Sequence, residues 1–203
     1  GSTAWLNVGN ALGYHDLSLP RRLPFSESRD DLTPGPLVGT HAVLPRAFGF
    51  TEYADLVELL EAAGFKGGLG RGPLRYAVYA YDWRRDLVES ARGLGEQLEA
   101  AAAGHPEARF HLLGHSMGGL VVRYYLRFGA AEPDGPVTWA GARRVASAVL
   151  VATPNAGALP ALGAILQGSR VGMSFTTLAA SVVARMPSVY QLLPAPGTRP
   201  LLD

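Results

Sequence analysis

A chain of 203 residues, 48% of them hydrophobic, is long enough for one domain with a substantial core and room for an appended cap. Its formal charge of +1 creates no global field for nucleic acid or anionic lipid, so no nucleic-acid partner is expected. The chain has no cysteine. That excludes disulfides, thiolate metal sites and cysteine nucleophiles, and leaves the redox compartment undecided.

Of the 18 basic residues only Lys66 is a lysine, a bias that fits a GC-rich genome better than a binding surface. No basic segment followed by an apolar run opens the chain, so as given it reads as soluble; the compartment is left open, with cytoplasmic slightly favoured and a leader upstream of residue 1 as the alternative. Uncharged stretches such as Val171 to Ala184 carry Ser and Thr and are shorter than the ~18 residues that a membrane span needs.

The first fifty residues hold Pro20, Pro24, Pro34, Pro36 and Pro45, which forbid long helices, and predict an irregular arm with short strands. Periodic order begins at Thr51. Tyr53, Leu56, Val57 and Leu60 recur at helical spacing between Thr51 as N-cap and Gly64 as stop, which predicts a helix. Arg75 to Tyr81 is a short β-prone run, and Asp86 to Ala103 has amphipathic helical spacing ending at Gly104. Ala108 to Leu113 predicts a strand, Met117 to Phe128 a helix stopped by Gly129, and Arg144 to Ala152 a further strand.

Strand and helix thus alternate three times with short connections. The predicted class is α/β, a parallel central sheet covered by helices on both faces and joined by right-handed crossovers. Residues 156 to 186 are apolar and nearly free of charge. They predict helices of a lid or cap, with a plain sheet-covering helix as the equal alternative.

One motif carries chemistry. Gly114-His115-Ser116-Met117-Gly118 fits Gly-x-Ser-x-Gly. With 25 glycines and 11 serines in the chain, chance alone gives about one match in six such sequences, so the pattern by itself is weak. Its position between a predicted strand and a predicted helix makes it strong, because a strained strand-to-helix turn pushes a serine out of the backbone. Glycines at Gly114 and Gly118 are expected where side chains would clash as the turn closes, and Gly118 and Gly119 let the helix approach the sheet. On this reading Ser116 is the nucleophile and the Met117 N–H an oxyanion donor at the helix N-terminus. The alternative for Ser116 is a helix N-cap.

A serine nucleophile needs a base and an acid that orients it. His15, His41, His105, His111 and His115 all precede Ser116, whereas the order in such folds is Ser, then acid, then His. His115 is no substitute, because neighbours on a tight turn point apart. Base and acid are therefore expected beyond Asp203, and the 203 residues by themselves are expected to be inactive and poorly stable, with strand edges unpaired.

Tyr81-Asp82-Trp83-Arg84, Ala152-Thr-Pro-Asn-Ala-Gly157 and Met186-Pro-Ser-Val-Tyr-Gln-Leu-Leu-Pro194, together with the serine motif, resemble the lecithin:cholesterol acyltransferase family of α/β-hydrolases in a bacterial-type version. The likeness runs in order along nearly the whole chain, including Trp5-Leu-Asn and the Pro34-Gly35 region. It implies the α/β-hydrolase fold with a lid or cap segment, incomplete in this chain: a core over about 51–157 and a lid or cap over 158–194. It also implies an acyl-enzyme on Ser116 with a lipid or other acyl ester, no metal and no cofactor. In the family a Pro-Gly-x-x-Gly-Ser turn supplies the second oxyanion N–H. Gly1-Ser2 matches only its end, so that donor is expected before Gly1. Asn155 and Ala158 stand where the family often has His and Ser, which weakens any role for that loop.

The resemblance further implies that Trp83 borders the acyl or oxyanion pocket, with core packing as the equal alternative. Tyr190, with Leu192 and Leu193, is implied at the lid or acyl tunnel, with core packing as the favoured alternative. Asp82 and Arg84 read as a structural ion pair, and Arg123 and Arg127 as a solvated helix face. Transient contact of the lid with a lipid surface is implied, and the oligomeric state is left open. Two other readings stay open at this point: a catalytically inactive homologue that binds lipid or a protein partner, and a small-ester carboxylesterase.

Overall fold

The computed structural model describes residues 17–21, 27–34, 52–68, 74–132, 134–170 and 177–195. The expectations for Gly1-Ser2, Trp5 to Asn7, the N-cap at Thr51 and most of the proline-rich arm, apart from residues 17–21 and 27–34, lie outside the described residues.

Helix α1, Glu52–Ala62, forms where the spacing of apolar residues predicts it. It is followed by two very short parallel strands, β1, Lys66–Gly67, and β2, Arg75–Tyr76. The predicted strand over 75–81 is thus laddered only at its first two residues. Its remainder is held by side chains instead: the Tyr79 hydroxyl donates to the Ser90 carbonyl at 2.7 Å, and the Tyr79 and Tyr81 rings stack with centroids 5.8 Å apart.

Helix α2, Leu87–Ala101, buries Leu87, Ser90, Ala91, Leu94, Gly95 and Leu98 on one stripe. Asp86 caps it by accepting from the Val88 N–H at 2.8 Å. Strand β3, Phe110–His115, runs directly into helix α3, Met117–Phe128, which ends at Gly129 with φ +63°. A 3-10 turn over Ala140–Arg144 leads into β4, Val145–Val151. β3 and β4 pair in parallel, with Leu113 opposite Val149 and His115 opposite Val151.

The principal core lies between these layers. Leu87, Ala91, Leu94, Leu98, Val121, Val122 and Tyr125 form it, with Phe110, Leu112 and Val145 packed against it from the strands. Each fully buried large aliphatic side chain contributes about 1.5–3 kcal/mol of transfer free energy, so this stripe is a main source of stability. The opposite strand face differs from expectation. Leu113, Val149 and Val151 are all exposed, because α2 and α3 cover the Phe110 and Leu112 side and no described element covers the other.

The charge-poor segment divides into several short pieces. They are α4, Leu159–Gln167, the antiparallel pair β5, Ser169–Arg170, and β6, Thr177–Leu178, then α5, Ala180–Val183, and α6, Pro187–Gln191. The small antiparallel pair had no periodic signal in the sequence. Among the described residues no helix is long and apolar enough to cross a membrane. A second core gathers Leu17, Ala161, Val183, Met186 and Val189, with Trp83 and Leu192 packed on it.

Two polar joints fasten this second core to the first. Arg84 has a fully buried side chain. It reaches Asp82 through Nε at 2.9 Å and Nη2 at 2.7 Å, Asp30 through Nη1 at 2.7 Å and Nη2 at 2.9 Å, and the Leu17 carbonyl through Nη1 at 3.1 Å. All five guanidinium N–H donors are therefore matched. The second joint is Gln191. Its Oε1 accepts from the Leu87 N–H at 2.9 Å and its Nε2 donates to Asp86 Oδ1 at 2.8 Å, so it completes the N-terminus of α2 alongside Asp86.

Candidate active site

The turn from β3 to α3 carries one of the three non-glycine residues with positive φ among the described residues. Ser116 sits there with φ 51° and ψ −125°, in the N-cap position of α3, yet its side chain makes no capping hydrogen bond. A non-glycine residue in this region costs on the order of 1–3 kcal/mol and persists only where its surroundings over-determine it. Here the Ser116 N–H donates to the Val151 carbonyl at 2.8 Å, and the Ser116 carbonyl accepts from the Gly119 N–H at 3.0 Å. Ser116 is exposed. The first N–H groups of α3, Met117 among them, lie beside it with the positive end of the helix dipole.

The neighbouring strand ends in a matching irregularity. Ala152, just after β4, has φ 49°, and Thr153 follows it against the elbow. A Cβ on Gly119 would collide with Thr153 Oγ1 and lie 2.8 Å from Thr153 Cβ, while a Cβ on Gly114 would lie 2.8 Å from Gly119 Cα and 2.9 Å from Gly118 O. Gly118 is different: a Cβ there would meet only the Tyr81 hydroxyl, at 3.7 Å, ordinary van der Waals contact. Close packing therefore demands Gly114 and Gly119, whereas the motif pattern had marked Gly114 and Gly118. We expect Gly118→Ala to fold with wild-type stability or slightly better, since alanine is the stronger helix former by about 1 kcal/mol. Gly114→Ala and Gly119→Ala are expected to lower the denaturation midpoint clearly. Equal midpoints for all three variants, measured in urea, would contradict this account.

Around the elbow the side chains are aromatic. His115 precedes Ser116, and its Nδ1 lies 3.0 Å from the hydroxyl of Tyr53 on α1. The two rings meet edge-on, with centroids 5.8 Å apart and planes at 74°. The Tyr81 phenol is raised by burial first, then by Tyr53 and Tyr79, so it stays protonated at neutral pH and presents an O–H beside Gly118. His111, farther back on β3, pairs with the Ser147 hydroxyl at 2.7 Å. Among the described residues no group of three or more His, Cys, Asp or Glu could hold a metal ion.

The other residues singled out in the sequence lie elsewhere. Trp83 is partly buried and packs against the second core. Tyr190 is exposed, with its hydroxyl donating to the Ala184 carbonyl at 2.9 Å, and Leu192 and Leu193 pack on the second core. Asp82 and Arg84 form an ion pair, as expected, but Asp30 joins it, and Arg85 lies against both carboxylates. Arg123, read as a solvated residue, is exposed but also donates to Asn155 Oδ1 at 2.9 Å, tying α3 to the loop after β4. Sequence reasoning missed Tyr53, Asp30, Gln191 and Thr153. Tyr53 had a signal in its place on the apolar stripe of α1, which spoke for packing, and Thr153 and Gln191 lay within the family-like motifs without a role assigned to either; Asp30 had none.

A parallel strand pair under helices, with a positive-φ serine at its strand-to-helix turn, is the local architecture of an α/β-hydrolase-like protein. The family model described as lecithin:cholesterol acyltransferase matches residues 46–200. The chain belongs to that family, and its activity class is accordingly that of lipid acyltransferases and esterases. No curated protein and no solved structure matches it.

Proposed function

We propose that the protein is a serine acyl hydrolase or O-acyltransferase that acts on lipid or related esters through an acyl-enzyme on Ser116. The observation that carries this reading is the backbone of Ser116. Its φ of 51° is strained, and its side chain makes no capping bond. A serine whose purpose was to cap α3 would accept from the N–H two or three residues on. The strain is instead accounted for by a hydroxyl that must stand clear of the turn.

In this mechanism Ser116 Oγ attacks the acyl carbonyl carbon while a base takes its proton. The carbonyl oxygen becomes an oxyanion and is met by the Met117 N–H at the start of α3. Collapse expels the alcohol, which leaves with the proton, and Ser116 keeps the acyl group. Water or a second alcohol then attacks the acyl-enzyme, and Ser116 is released. His115 is not that base, because neighbours on a tight turn point apart, and in folds of this kind the acid and the His follow the serine in chain order.

The second core is read as the cap, with Trp83 forming part of the acyl pocket wall. Leu159, Leu162 and Leu166 share one face of α4 and are 49%, 46% and 68% exposed. That face suits transient contact with a lipid surface. The test is to treat the full-length protein with a fluorophosphonate and map the adduct. Label on Ser116 is expected. No adduct there, from a folded protein, would reject the nucleophile and leave the inactive lipid-binding homologue as the better reading.

A further inference from the structure

The strained backbone at Ser116 must be held by its surroundings, and three contacts restrain it. Two are backbone hydrogen bonds, from the Ser116 N–H to Val151 and from the Gly119 N–H to Ser116. The third is a side-chain contact, the pairing of Tyr53 with the His115 imidazole immediately before the serine. It spans 62 positions of sequence and is the point at which α1 meets the elbow. His115 is the last residue of β3, so fixing its ring fixes the peptide that leads into Ser116. Tyr81 stands in the same neighbourhood, close enough for Tyr53 to help raise its phenol, and its hydroxyl lies next to Gly118.

We propose that Tyr53 is a positioning residue for Ser116, acting through His115 to hold the elbow in its strained, reactive form. This rests on Ser116 being the nucleophile but goes beyond it, since it assigns a task to a residue outside the motif. Tyr53 touches neither the ester nor Oγ in this account. Its hydroxyl fixes the ring of His115, and the ring fixes the approach of the chain to the turn. The side-chain group at the motif's second position is thereby given a reason: it must present a hydrogen-bonding atom to Tyr53.

The experiment follows the rate of fluorophosphonate labelling at Ser116 in the full-length protein, with kcat and KM on an acyl ester measured beside it. Tyr53→Phe removes only the hydroxyl. It is expected to slow labelling about five-fold, the effect of one hydrogen bond, and to lower kcat while KM holds. His115→Asn keeps a hydrogen-bonding group, able to donate or accept, near the place of Nδ1 and is expected to label near the wild-type rate, whereas His115→Leu is expected to be as slow as Tyr53→Phe. Adding Tyr53→Phe to His115→Leu should then cost nothing more, because both remove one coupling. Wild-type labelling by Tyr53→Phe, or an equal slowing by Tyr53→Phe with and without His115, overturns the proposal. Equal rates for His115→Asn and His115→Leu overturn it as well, and decide the matter if Tyr53→Phe does not fold. Absence of label on Ser116 in the wild type is a separate result and rejects the nucleophile along with it.

Discussion

Replacing Ser116 by alanine is expected to lower kcat/KM on a long-chain acyl ester by on the order of 10^4-fold or more, with the fold unchanged. The size follows from what is lost. Without Oγ no acyl-enzyme forms, and what remains is the contribution of the oxyanion donor and of substrate binding, which in serine hydrolases supplies a small part of the rate. Stability should hold or rise. Alanine makes no worse a cap than a serine that does not cap, although it inherits the same positive φ. The check is steady-state kinetics paired with a denaturation curve. A loss of less than about ten-fold, with a matching melt, would move the chemistry off Ser116. Comparing acyl chain lengths in the same assay separates a lipid enzyme from a small-ester carboxylesterase, since activity confined to acetate would reject the lipid reading.

The second large effect concerns stability. Arg84→Ala is expected to destabilise the protein by about 3–5 kcal/mol, the cost of breaking a buried ion pair from one side. Asp82, whose side chain is 3% exposed, and Asp30, at 21%, would lose their buried forked partner and keep only Arg85, at 3.1 Å from Asp82 and 3.6 Å from Asp30. The loss is therefore expected toward the lower end of that range. Arg84→Lys should recover only part of the loss, because a single ammonium cannot bind both carboxylates in fork geometry. Urea denaturation measures both, and a loss below about 1 kcal/mol for the alanine variant would remove the network from the list of main supports. The network also sets an acid limit. Burial acts to raise the Asp30 carboxyl, but the hydrogen bonds and charge of Arg84, with the Leu32 N–H and Arg85, outweigh it and hold it below the usual carboxylate value. The folded protein therefore binds its proton less readily than the unfolded chain. The stabilisation from Asp30 is complete above about pH 4 and is lost as the pH falls through the lower folded value. Asp30→Asn should accordingly flatten part of the acid limb of stability below about pH 4.

How far the sequence reached can be judged element by element. Helix α3 was predicted over the residues it occupies, because its apolar stripe and its closing glycine are local signals. Strand β3 was placed two residues early, at 108–113 rather than 110–115. The motif itself explains this: the strand ladder continues through Gly114 and His115 up to the turn, where composition alone suggests that the loop has begun. The run over 75–81 looked like a strand because aromatic and β-branched residues favour one. In the fold most of it is held by Tyr79 on Ser90 rather than by a ladder.

What the chain determined alone was whatever depends on neighbours a few residues apart: the α/β alternation, the stripes of α2 and α3, and a serine between two glycines at a strand-to-helix junction. Tertiary structure decided what depends on partners brought from far along the chain. Asp30 is 54 positions from Arg84, Tyr53 is 62 from His115, and Gln191 is 105 from Asp86. It also decided which glycine is indispensable. Gly118 and Gly119 are both glycines at the start of one helix, and only the packing of Thr153 against Gly119 tells them apart. Local order is written in side-chain periodicity, which a sequence displays. Steric and polar complementarity between distant segments exists only once the chain has closed on itself.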